Sequence, residues 1–160
     1  MAFLVAGLAL ATVIAAGCAG GGKPRATGPT TTLLTADYWS PPPVGPAGTD
    51  TFCALVVSVY KHMAQIPLAA NTTIRSQIVG DYVSTAPLIT AAAPPQVAAD
   101  AKLYFSSVSN ILSALRSAGL DPRKVPNGQI GSILLDPTVK SAGNNVFAFT
   151  QANCHYAIGP

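Results

Sequence analysis

The residues that could do chemistry in this chain are few: Cys18, Cys53 and Cys154, His62 and His155, and six aspartates. Glutamate is absent altogether. That removes the HExxH metalloprotease, the glutamate pair of most glycosidases and the closing ligand of an EF-hand. Of Asp37, Asp50, Asp81, Asp100, Asp121 and Asp136, three (Asp50, Asp121 and Asp136) fall at expected helix edges or turns. A carboxylate there ordinarily bonds nearby backbone amides. No GxSxG elbow, Walker loop or dinucleotide fingerprint occurs, and Gly20 to Gly22 belong to a tether. The cysteines form no CxxC, and the two histidines lack the close spacing of zinc ligands. A Ser/His/Asp site could draw its base only from His62 or His155, and His62 lies off the apolar stripe of its helix, where a solvated side chain is expected. The expectation is a chain with no catalytic residue, no metal and no cofactor: not an enzyme.

Cys18 has a different setting. Residues 2–17 carry no charge and are mostly Ala, Val, Leu and Ile. As a helix they would span about 24 Å, short of the roughly 30 Å hydrocarbon core of a bilayer. The length suits the apolar region of an export signal, which ends in small residues at its cleavage site. Ala15, Ala16 and Gly17 are those residues, and Cys18 follows them. The segment resembles the lipobox of bacterial lipoproteins. That resemblance implies acylation of Cys18, cleavage after Gly17, and a mature protein anchored to the cell membrane on its extracytoplasmic face. Two features depart from the family: Ala15 stands where Leu is preferred, and no Lys or Arg follows Met1 closely. Either the amino terminus alone supplies the positive charge or translation starts upstream. The alternative is an ordinary secretory signal cut near Gly17, with Cys18 a free thiol.

Three cysteines in an exported chain leave one over. With Cys18 acylated, Cys53 and Cys154 remain as a pair in an oxidising compartment, where a disulfide persists.

Three regions follow from composition: a signal peptide at 1–17, a tether at 18–48 and a helical domain at 49–160. The tether is rich in Gly, Pro and Thr, and it cannot bury enough apolar surface to offset the entropy of ordering. Its exception is the patch "LLTADYWS". Leu33, Leu34, Tyr38 and Trp39 either dock on the domain or lie at the lipid interface. Pro41, Pro42 and Pro43 make a stiff spacer after it. Net charge is +3, and the basic residues form no cluster beyond Arg123–Lys124. Nucleic-acid binding needs a denser footprint. Attraction to anionic lipid headgroups is the most this charge supports.

From Thr49 onward the apolar spacing is helical. Phe52, Leu55, Val56, Val59, Met63 and Ile66 form one stripe on a helix that Asp50 or Thr49 caps and Pro67 ends. Asn71 caps a second helix with Ile74, Ile78, Tyr82 and Leu88 inward, and Pro87 is expected to kink or break it near its end. Pro94 and Pro95 precede a third, with Val97, Ala101, Tyr104, Val108, Ile111, Leu112 and Leu115 on one face. Gly119 stops it in the left-handed conformation. A connector with a short helical turn at Gln129 to Leu134 leads to Asp136–Pro137, a start signal for a fourth long helix bearing Val139, Ala142, Val146, Phe149 or Thr150, and Cys154 inward. The fold expected is all-α, an antiparallel four-helix bundle. In it the start of the first helix and the end of the fourth share one end, so Cys53 and Cys154 meet there.

The proline-punctuated plan, with its "AGLDP" middle and terminal "VFAFTQANCHYAI", resembles small helical envelope lipoproteins and secreted proteins of actinobacteria. A fainter likeness, of size, helicity and two cysteines, is to small helical secreted haem carriers of mycobacteria. The function expected is a membrane-anchored, non-catalytic helical module that binds an envelope protein or lipid. The alternative is a carrier of an apolar small molecule, lipid or haem-like, in the cleft between helices two and three, with Tyr60, Tyr82 or Tyr104 as polar contacts.

Overall fold

Helix ends in this protein are set by local hydrogen-bond chemistry. A computed structural model describes residues 39–69, 71–126 and 128–156, all within one compact unit. The segment expected to be a signal peptide, 1–17, together with Cys18, Leu33, Leu34 and Tyr38, lies outside the described residues. Five α-helices are present: α1 (Thr49–Met63), α2 (Thr72–Ala92), α3 (Ala98–Ser117), α4 (Gln129–Leu134) and α5 (Pro137–Asn153). Single 3-10 turns cover Ile66–Leu68 and Pro122–Lys124, and no strand occurs among the described residues. No described helix is long and apolar enough to cross a membrane.

Asn71 caps α2, its Oδ1 accepting from the Ile74 amide at 3.0 Å. Asp136 caps α5, accepting from the Thr138 amide at 2.8 Å, with Pro137 in the first turn where no amide donor is needed. The hydrogen bonds from Thr138 hold the Asp136 carboxyl below its ordinary pKa. Gly119 takes φ +67° after α3, and the Gly119 and Leu120 amides donate to Arg116 O and Leu115 O at 3.0 and 2.7 Å. Those two bonds satisfy carbonyls that the helix end would otherwise leave open.

Three expectations about these helices need correction. Neither Thr49 nor Asp50 caps α1, whose N-cap is Gly48 with no side-chain hydrogen bond to the first turn. α2 does not break at Pro87 but continues to Ala92. Pro87 sits on the exposed side, where a carbonyl deprived of its amide can turn to water. In α3 the residue at the centre of the core is Phe105, fully buried, while its neighbour Tyr104 is half-buried.

The core joins Phe52, Leu55, Val56 and Val59 of α1 to Tyr82, Ala86 and Ile89 of α2, Ala101 and Phe105 of α3, and Val146 of α5. Phe52 stands edge-on to Phe105 and Phe149, with ring centroids 6.4 and 5.8 Å away. Each large side chain fully buried in this way contributes roughly 1.5–3 kcal/mol. Broad interfaces join α1 to α2, α2 to α3 and α3 to α5, whereas α1 meets α5 only narrowly. Cys53 and Cys154 bridge that narrow junction, with Cα atoms 5.1 Å apart. At the same end of α1, the Gly48 amide donates to Ala92 O at 3.0 Å and ties the start of α1 to the end of α2.

Candidate functional site

His62 occupies the last turn of α1 and is only 7% exposed. Its Nε2 lies 2.9 Å from Asp81 Oδ2 on α2. A carboxylate partner requires Nε2 to carry the proton, so in the neutral ring Nδ1 is the acceptor nitrogen. That Nδ1 is buried and has no hydrogen-bond partner. Trp39 covers the ring face, with centroids 4.5 Å apart and planes 6° from parallel. The Trp39 indole N–H donates to Ser58 Oγ at 3.3 Å. His62 is therefore not the solvated residue expected from the stripe of α1. A segment preceding the helix lies over it, and a neighbouring helix supplies its carboxylate.

The Asp81–His62 pair resembles two-thirds of a catalytic triad, but among the described residues no hydroxyl or thiol meets Nδ1, where a nucleophile would have to sit. The arrangement orients a ring; it does not activate a nucleophile.

The three tyrosines proposed from sequence do come together. Tyr60 Oη and Tyr104 Oη are 3.0 Å apart, and the Tyr60 and Tyr82 rings meet edge to face at 6.3 Å. Tyr82 is buried, and its hydroxyl, which lies close to Tyr60, makes no well-formed hydrogen bond among the described residues. Burial pushes all three phenols above the ordinary tyrosine pKa, because the phenolate would lose its hydration. Tyr60 is raised further by its proximity to Tyr82 and Tyr104. Tyr82 belongs to the core between α1, α2 and α3, and Tyr60 and Tyr104 are partly buried against it.

Two surface clefts separate α2 from α3, and neither is lined by a tyrosine. The larger, about 570 Å³, runs from Thr72, Thr73, Ser76 and Gln77 past Gly80 and Asp81 to Arg116 and Gly119. The other, about 490 Å³, lies between Ala86, Pro87, Thr90 and Ala91 on one side and Lys102, Ser106, Ser109 and Asn110 on the other. Tyr104 instead faces a smaller groove of about 280 Å³ formed by α3, α4 and α5, together with Val108, Ile111, Ile133, Leu134, Val139 and Phe147. Lys140 and Asn144 stand among its lining residues. Gly143 allows the close approach of α5 there, since a Cβ at that position would meet the Tyr104 ring at 3.1 Å. Next to the groove, α4 buries none of its residues; Leu134 is 61% exposed and Leu135, which follows, 82%.

No protein-family model, curated protein or solved structure matches the chain.

Among the described residues no three His, Cys, Asp or Glu side chains gather in a way that could hold a metal ion. His155 follows Cys154 in the left-handed region, φ +50°, and is exposed. The polar features that sequence reasoning passed over are the Trp39–His62–Asp81 stack and Arg116. No short motif announces either. Trp39 and His62 are separated by a proline spacer, and Arg116 meets α2 across a helix interface.

Proposed function

We propose that this chain is an extracytoplasmic module anchored to the cell membrane through acylated Cys18, and that it binds an envelope protein or lipid without catalysing a reaction. In the same reading its four long helices form an antiparallel bundle that the disulfide closes. The single observation that carries the binding role is the apolar surface at and after α4. Leu134 and Leu135 are left in solvent beside a groove walled by Val108, Ile111 and Phe147. A monomeric domain ordinarily keeps such neighbouring apolar groups apart or covers them.

The carrier reading has less support. A carrier needs an apolar enclosure of roughly 300–1,000 Å³ that covers most of its ligand. The interior here is filled by Phe52, Tyr82, Phe105 and Val146, and the two clefts between α2 and α3, like the groove of about 280 Å³ beside α4, open at the surface and enclose nothing.

Two measurements test the proposal separately. Intact mass of the membrane-extracted protein should show lipid on Cys18 as the amino-terminal residue, and an unmodified Cys18 would overturn the anchor. Hydrogen exchange of native membranes against the purified protein should show added protection at Ile130 to Leu135 in the membranes. Equal exchange of that segment in both samples would remove the argument for its being the binding surface.

A further inference from the structure

The 570 Å³ cleft between the start of α2 and the end of α3 holds Arg116, which makes no ion pair among the described residues. Arg116 lies along the backbone of α2 at Gly80; a Cβ on that glycine would come within 2.8 Å of Nη1 and 2.9 Å of Cζ. Its guanidinium has no carboxylate within ion-pair distance among the described residues, where only His62–Asp81 and Arg123–Asp121 are paired. Asp81 shares the wall of the cleft but is engaged with His62 through Oδ2. Opposite charges therefore line one cleft without neutralising each other. Hydroxyl and amide groups of Thr72, Thr73, Ser76 and Gln77 complete the lining.

Each group selects a chemistry. A planar guanidinium fork matches a carboxylate or phosphate, often through two parallel hydrogen bonds. An aspartate beside serine, threonine and glutamine matches a row of hydroxyls, which donate to the carboxylate and exchange bonds with the rest. A bare anion would be repelled by Asp81, and a neutral sugar would leave Arg116 unmatched. The cleft volume lies inside the usual small-molecule range of roughly 300–1,000 Å³. We propose that this cleft binds an acidic saccharide unit, a sugar bearing one carboxylate or phosphate, with the anion on Arg116 and the hydroxyls on Asp81, Gln77 and Ser76. The site is independent of the Cys18 anchor and of the α4 surface.

The test is titration calorimetry of the full-length protein in detergent with glucuronate, glucose 6-phosphate, glucose and inorganic phosphate. One of the two acidic sugars should bind saturably, and glucose and inorganic phosphate at least about tenfold more weakly. Glucuronate alone would identify the anion as a carboxylate, and glucose 6-phosphate alone as a phosphate. Arg116→Ala should abolish binding, and Arg116→Lys should weaken it about tenfold because the fork is lost. Asp81→Asn should improve binding of inorganic phosphate relative to the sugars. Circular dichroism and thermal unfolding of the Arg116 variants should match the parent, since Arg116 is exposed and bonds no other side chain among the described residues. The proposal is overturned if neither acidic sugar binds at about 20 mM, if inorganic phosphate binds as well as they do, or if Arg116→Ala leaves binding unchanged.

Discussion

The indole of Trp39 lies flat on the imidazole of His62, and the other edge of that imidazole is held by Asp81. Three segments meet at one ring: the proline-rich stretch before α1, the end of α1, and the middle of α2. The ring is nearly buried because all three are present. Removing any one would expose a polar group that currently has either a partner or a cover.

Trp39→Ala should destabilise the protein by about 1–3 kcal/mol, from the stacked pair, one hydrogen bond and partial loss of burial. The same change should hasten proteolysis between residues 39 and 45, because the indole anchors the start of that stretch to α1, whereas Pro46 and Gly48 are held by Thr51 Oγ1 and Ala92 O. Urea unfolding followed by circular dichroism, with a timed digest, measures both. A variant as stable and as resistant as the parent would mean that the stack holds nothing in place.

Tyr60, Tyr82 and Tyr104 carry the clearest pH signature. Their folded-state pKa values are raised by burial, so each contributes stability that is complete below the unfolded value of about 10. Above that value the unfolded chain gains by ionising while the folded one does not, and stability falls with rising pH. An absorbance titration should show three of the five tyrosines silent until alkaline unfolding releases them together. Reversible titration of all five near pH 10 in folded protein would contradict this packing.

Replacing Cys53 and Cys154 together by serine should cost about 2–5 kcal/mol, the usual range for a small disulfide-bonded domain. The bond spans a sequence separation of 101 residues, so most of its effect should lie in restricting the unfolded chain. The end of α5 should also exchange its amides faster, since α1 touches α5 only narrowly apart from this link. Equilibrium unfolding and hydrogen exchange read the two effects. A cost below about 1 kcal/mol would show that helix packing alone closes that end.

Much of the helical framework was legible in the sequence. Asn71, Asp136 and Gly119 act on amides or carbonyls a few residues away, so their types and positions suffice to mark helix ends. The short helix at Gln129–Leu134 stood out between two proline-containing turns. The pairing of Cys53 with Cys154 followed from counting cysteines and from the order of the helices, and the structure contains it. Contacts between distant segments were not legible. Periodicity ranks the faces of one helix but not what arrives from elsewhere, so it put Tyr104 inside ahead of Phe105 and left His62 in water. It also allowed Pro87 to break α2 as well as to kink it, although exposure makes a lost amide tolerable there and the helix runs on to Ala92. Whether tyrosines line a cleft or fill a core, and whether Arg116 finds an acid or stays free, depends on how α2 lies against its neighbours. The sequence by itself determined the helix ends at Asn71, Asp136 and Gly119 and the pairing of Cys53 with Cys154, because the first rest on short-range bonding and the second on which cysteines the helices carry. Only the tertiary structure decided which polar groups are buried, paired or left open, because their free energies depend on solvent that distant segments exclude.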